Sequence, residues 1–323
     1  MHIHSSLGSR SSYWTLSVRL VITLLGFVTG LISLPSSLLA EEIAILQSAD
    51  ISAYTEAIEG FKSHLPASAH ITLEYNLQGD MAKGRNFAKR IRASDANVVL
   101  AVGLKAALAA KLEILDIPVI FCLVLDPEKY GLPAKNMVGL SLDIPFQDHM
   151  RPLKILLPTA KRLGVLFDPQ KTRGMVDRLT RDATAQGLTI VAKEVITEQE
   201  IPKALQALSP NIDALWLLPD STVLTENSLD FLMSWTLQQN IPVVGFSGGL
   251  VKSGALVGAY LHYTDIGHQA ATLATTLLKN AQSPVVGTVL MPNQVHQSIN
   301  EKTATFLGIT LPPHILRQFD ERF

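Results

Sequence analysis

Short apolar runs alternate with helix-period segments along almost the whole chain, and this rhythm restricts the fold more than any other feature. Ile43–Leu46, Ile71–Tyr75, Val98–Val102, Val119–Val124 and Met137–Leu142 have strand length and are apolar on both faces. Between the first two, Tyr54, Ala57, Ile58, Phe61 and Leu65 recur with a spacing close to 3.6, the period of a helix with one buried face. Asp80 after Gly79 reads as the N-cap of a second helix that turns Met81, Phe87, Ala88 and Ile91 inward. Strands with two apolar faces belong in a parallel sheet covered by helices on both sides. The rhythm pauses and restarts at Leu163–Phe167, followed by Ile190–Val195, Ala214–Leu218 and Val243–Phe246. A βα pattern that runs twice predicts an α/β chain of two Rossmann-like lobes. A length of 323 residues fits about two domains.

Asp143–Pro158 reads as a crossover between the lobes, with a helix carrying Met150, Leu153 and Leu156. Later come a strand at Ala255–Tyr260, a helix at Ile266–Asn280, and apolar runs at Val285–Met291 and Val295–Ile299. Those two runs suit a return to the first lobe and then to the second. The division expected is 41–143 plus about 253–284 for the first lobe, and 144–252 plus about 285–323 for the second. Several strands joining the lobes would make a hinge.

Residues 1–40 follow a different logic. Arg10 and Arg19 precede the apolar stretch Leu20–Ile32, and no acid occurs before Glu41. Pro35, Ser36 and Ser37 lead to Ala40, the expected cleavage point of a signal peptide. An uncleaved anchor is the alternative, although the apolar run falls short of the roughly 20 residues of a spanning helix. The expected product is a soluble periplasmic protein, acting as a monomer.

Composition removes several functions. Charged residues are only 17% of the chain and the net charge is −1, so there is no electrostatic footprint for nucleic acid. The single cysteine, Cys122, excludes an intrachain disulfide and cysteine-based zinc clusters, and its apolar surroundings predict a buried strand thiol. No His-Glu-x-x-His pair, P-loop or dinucleotide-type glycine fingerprint occurs, so neither a metal nor a cofactor is expected. Gly245-Phe246-Ser247-Gly248-Gly249 fits a nucleophile elbow, with Asp265 and His268 downstream. An elbow needs a helix directly after the serine, and the strand expected from Ala255 leaves little room for one. The segment therefore reads as a glycine-rich turn, with an exported serine hydrolase as the alternative and no catalytic residue assigned.

What remains are loops at the C-terminal ends of strands, where open α/β sheets bind ligands. They are Ser48-Ala49-Asp50, Gly103-Leu104, Leu125-Asp126, Pro219-Asp220-Ser221-Thr222 and Phe246-Ser247. Hydroxyls, carboxylates, small residues and an aromatic from both lobes suit a small polar solute. None of these loops carries an arginine, which favours a zwitterion or a neutral solute over a dianion.

Several stretches resemble one family in their order along the chain. Ser48-Ala49-Asp50-Ile51-Ser52-Ala53-Tyr54, Val102-Gly103-Leu104-Lys105-Ala106-Ala107, Ile117–Phe121 with Asp126-Pro127, and Asn136–Ser141 cover the first half. Leu156–Leu166, Pro219–Val223, Val251–Leu256, Gly267–Ala271 and Asn300–Ala304 cover the second. The pattern is similar to ABC-transporter substrate-binding proteins of the type I periplasmic-binding fold, whose better-known members bind aromatic amino acids. Leu104 stands where the family more often has Thr or Ser, Val138 where it has Thr, and His262 where many members have Asp. The resemblance implies capture of a small solute, such as an amino acid, by hinge closure. Delivery would be to an ABC permease or, alternatively, to a membrane sensor. It implies ligand contacts from Ser48, Asp50, Tyr54, Gly103, Leu104 and a cleft-facing His262, with Phe121 and Asp126 near the hinge. Asp220, Thr222, Phe246 and Ser247 would approach from the second lobe.

Overall fold

The computed structural model describes Met1 and residues 41–323; the expected signal peptide lies outside the described residues. Residues 41–323 form one compact unit containing two sheets. The first half runs β1 (Glu41–Gln47), α1 (Ser52–His64), β2 (Ala69–Asn76), α2 (Met81–Arg92), β3 (Val98–Val102), α3 (Leu104–Glu113), β4 (Val119–Cys122) and β5 (Met137–Leu140). The second runs α4 (Phe146–Leu156), β6 (Arg162–Phe167), α5 (Arg173–Ala185), β7 (Thr189–Glu194), α6 (Ile201–Leu208), β8 (Ala214–Trp216), α7 (Glu226–Gln238), β9 (Val243–Gly245), α8 (Gly248–Lys252) and β10 (Val257–Tyr260). The chain ends with α9 (Tyr263–Lys279), β11 (Val289–Leu290), β12 (His296–Ile299), α10 (Glu301–Phe306), α11 (Pro313–Leu316) and β13 (Glu321–Arg322).

The first sheet has the order β11-β5-β4-β3-β1-β2 and is parallel throughout. The second has the order β13-β12-β10-β9-β8-β6-β7, with β10 and β12 antiparallel. The order β2-β1-β3-β4-β5 recurs as β7-β6-β8-β9-β10, so both halves are doubly wound in the same sense. Each sheet buries both faces. Ile43, Ile45, Val98 and Leu100 face one helix layer, while Ala44, Leu46, Val99 and Ala101 face the other. That arrangement explains why the runs Ile43–Leu46 and Val98–Val102 are apolar at every position.

The late elements divide differently from the expected boundaries. Val257–Tyr260 pairs with β9 in the second sheet, and Val289–Leu290 pairs with β5 in the first. Hydropathy marks both segments as buried strands but carries no record of which sheet each joins. Helix α9 packs on the first sheet through Ile266, Ala270, Ala271, Ala274 and Leu277. A Cβ on Gly267 would lie 2.1 Å from the carbonyl oxygen of Ala57, so only glycine lets α9 approach α1 this closely. Three segments therefore pass between the sheets: β5 to α4, β10 to α9, and β11 to β12. Among the described residues, no helix is long and apolar enough to cross a membrane.

Candidate functional site

In each sheet the strand order reverses at one point, between β1 and β3 in the first and between β6 and β8 in the second. Diverging connections leave a crevice there, beyond the strands' C-terminal ends. Ser48 and Gly103 stand at the first crevice, and Asp168 and Asp220 at the second.

The first crevice is built around a glycine. Gly103 has φ 84° and ψ 166°, a backbone region that a side chain disfavours. A Cβ there would lie 2.5 Å from the Tyr54 hydroxyl and 2.7 Å from Ser48 Oγ, so the sequence stretches around 48, 54 and 103 meet at one point. The backbone N–H of Ala106 donates to Ser48 Oγ at 2.9 Å, which satisfies one of the free donors at the start of α3. Burial, with the nearby Cys122 thiol adding to it, raises the Tyr54 phenol above its ordinary range. Cys122 is buried, and burial pushes its thiol up to about 12. Leu104 is partly buried beside this cluster, whereas Asp50 is exposed.

The second crevice is stitched by two buried carboxylates. Asp220 Oδ2 accepts from the Asp168 N–H at 2.8 Å and from the Thr172 hydroxyl at 2.5 Å. Its Oδ1 accepts from the N–H groups of Thr222 and Val223 at 2.9 and 3.3 Å. Asp168 in turn accepts from the Thr222 hydroxyl at 2.7 Å and from the Gln170 N–H at 2.8 Å. The Thr222 hydrogen bond, then that of Gln170, holds the Asp168 carboxyl below its usual range. Asp220 and Thr222 thus hold the loops after β6 and β8 together, and the Asp220 carboxylate is turned into the protein.

Other expected residues also have defined places. Phe121 is fully buried beneath Gly139 in the first lobe's core, not at the cleft; strand alternation turns it toward the helix layer that holds Ala88, Ile91 and Ala110. The Ser247 hydroxyl accepts from the Leu250 N–H at 3.2 Å and caps α8. A short helix does follow this serine, contrary to the expected turn, because β10 begins only at Val257. Asp265 and His268 sit on α9, where Asp265 Oδ2 meets His296 Nε2 at 2.6 Å. Among the described residues, no hydrogen bond joins Ser247 to a histidine. His262 is exposed, and its ring lies 4.3 Å from that of His296 between centroids.

Between the lobes lies a cavity of about 350 Å³, within the range of small-molecule sites. Leu125 borders it from the first lobe, Asp143 and Met291 from crossing segments, and Trp216, Pro219 and Phe246 from the second lobe. Helices α4 and α5 add Phe146, His149, Met175 and Arg178. Phe146 meets Trp216 edge-on at 5.5 Å between ring centroids, and the His149 ring is 5.2 Å away. Burial lowers the His149 imidazole to about 4. Buried His149 Nδ1 and Trp216 Nε1 have no hydrogen-bond partner. A neighbouring cavity of about 410 Å³ holds Asp126, Lys129 and Ser141, and it shares Asp143, Arg178 and Met291 with the first. Sequence reasoning confined to strand-end loops missed Arg178, His149 and Trp216. The first two lie within helices, and Trp216 reads as strand core. Among the described residues, no group of three or more His, Cys, Asp or Glu side chains is placed to hold a metal ion.

Two doubly wound lobes do not by themselves assign a function. The sequence model of the ABC transporter substrate binding protein family matches residues 42–322. The chain belongs to this family. Substrate-binding proteins are binding proteins by family, and the fold described above is the family's type I periplasmic-binding fold. The chain is 27% identical to a tyrosine-binding protein of Clostridioides difficile (strain R20291) over 212 residues, 63% of this chain. The match spans about three fifths of that relative's length, 61%. A ligand-free, open substrate-binding protein with adhesive properties from Clostridium difficile superimposes with a TM-score of 0.74 at 24% identity, covering 87% of this chain and 98% of that one. An ABC domain from Streptococcus pneumonia in complex with L-Trp gives a TM-score of 0.57 at 23% identity, covering 87% and 99%.

Proposed function

We propose that the protein is an exported receptor of an ABC importer, which captures an amino acid with an aromatic side chain between its lobes and closes over it. The observation that carries this reading is the interlobe cavity of about 350 Å³, walled by Phe146, Trp216 and Phe246 and bordered by Asp143 and Arg178. An apolar, aromatic wall takes a ring, while charged groups of both signs at the border favour a zwitterion. The tyrosine-binding relative and the structure holding L-Trp support the same chemical class. The three segments passing between the sheets supply the hinge, and closure over the cavity would exclude water from the ligand. The charge and hydropathy pattern of residues 1–40 supports export through a signal peptide, with the receptor working as a periplasmic monomer.

The test is thermal unfolding of the purified protein against a panel of amino acids, nucleosides, sugars and organic acids. A ligand at about 100 times its Kd stabilises by about 2.7 kcal/mol. For a protein of this size the midpoint rises by about 2 °C or more. A rise with aromatic amino acids alone supports the reading; a rise with sugars or nucleosides alone, or with nothing, defeats it.

A further inference from the structure

The two cavities meet at one ion pair that spans the lobes. Arg178 projects from α5 of the second lobe and lines both cavities. Its Nη2 stands 3.7 Å from Oδ1 of Asp126, which belongs to the first-lobe loop after β4. That separation exceeds a direct hydrogen bond. The other carboxylate oxygen, Oδ2, is held by Lys129 Nζ at 2.6 Å. Asp126 is thus tethered on one side and turned toward the opposite lobe on the other. Its loop carries two non-glycine residues in the left-handed region, Leu123 with φ 56° and Asp126 with φ 45°. Backbone strain of this kind persists where surrounding structure enforces it, and it gathers at ligand-binding loops.

We propose that Arg178 and Asp126 are a two-sided clamp for the backbone end of an amino acid. Arg178 takes the carboxylate, and Asp126 Oδ1 takes the ammonium group. The side chain enters the cavity walled by Trp216 and Phe246. A zwitterion laid across the pair, carboxylate beside Arg178 and ammonium beside Asp126, adds two direct, charge-assisted contacts to the one long contact between them. Because the partners sit on opposite lobes, each seated ligand also ties the lobes together. Asp143 and Asp182 border the same cavity, so Arg178 is the cation that faces several acids there. This clamp rests on the amino-acid reading above.

Isothermal titration with L-tyrosine and with L-tyrosinamide, which keeps the ring and the ammonium group but lacks the carboxylate, tests the clamp. Wild-type protein should prefer tyrosine by about 30-fold or more, the size expected for one charge-assisted contact. Arg178→Gln should weaken tyrosine by a similar factor and leave tyrosinamide within about 3-fold, so that the preference collapses. Arg178→Lys, which keeps the charge without the fork, should fall between. Asp126→Asn should weaken both compounds together. The Arg178 side chain is 48% exposed, so these variants fold, which a thermal melt verifies. An unchanged preference in Arg178→Gln overturns the clamp while leaving the receptor reading intact. If the wild type binds no amino acid at all, the amino-acid reading falls and takes the clamp with it.

Discussion

His296 Nε2 and Asp265 Oδ2 lie 2.6 Å apart, and the contact joins β12 of the second sheet to α9 packed on the first. Both side chains are largely buried, with 12% and 19% of their surface exposed, so solvent screens the contact less than a surface pair. Asp265→Asn should lower stability by about 1 kcal/mol, the scale of weakening one charge-assisted hydrogen bond. Urea unfolding measures that loss. Small-angle scattering of the same variant should show a wider spread of lobe separations, and an unchanged profile would mean the pair does not restrain the hinge.

Gly103→Ala should cost about 2–3 kcal/mol, because it adds a Cβ where the backbone is already in a region reserved for glycine. The new methyl would also press on the Tyr54 hydroxyl. Adding Tyr54→Phe removes that hydroxyl, so the double variant should recover part of the loss. Equal melting temperatures for the single and double variants would show that the hydroxyl contact costs nothing, and would leave backbone strain and the contacts with Ser48 Oγ and the Tyr54 ring carbon as the cause.

Asp220→Ala should destabilise by about 3 kcal/mol, since it leaves buried donors on Asp168, Thr172 and Val223 without their acceptor. Asp126→Ala removes a partly exposed ion pair and should cost less than about 1 kcal/mol. Chemical denaturation of the two variants side by side gives the contrast. If Asp220→Ala is the milder of the two, the loop network does not hold the second crevice together.

The His149 imidazole has its ordinary value of 6.5 lowered to about 4 by burial. Between those values the unfolded chain binds more protons than the folded one, so stability falls as pH drops through this window. Above about pH 6.5 this penalty vanishes, and below about pH 4 it reaches about 3 kcal/mol. His149→Met should flatten that stretch of the stability–pH curve, and an unchanged slope would assign the acid sensitivity to other groups.

Local structure in this chain was legible from the sequence. The Asp80 cap is made as its position suggested, with N–H donors from Ala82 and Lys83 at 2.8 and 3.2 Å. The strands from Val98 and Leu163 fall where continuous apolar runs placed them. Such features depend on period, capping and burial within a few residues of each other, which the sequence records directly. The loop positions of Ser48, Tyr54 and Gly103 were legible too, although their meeting at one point was not.

The tertiary structure alone decided which strand joins which sheet and which side chains face the cavity. Val257–Tyr260 and Val289–Leu290 look alike as buried strands, and only pairing with β9 or β5 separates them. Phe121 lies within β4, where alternation turns it into the core, whereas Phe246 stands just past the end of β9 and borders the cavity. Arg178 and Asp126, 52 positions apart, approach because two separately wound lobes face each other. The sequence determined the repeated βα units, since each is stabilised by its own apolar period. The facing of those units depends on contacts between distant residues, and no local pattern encodes them.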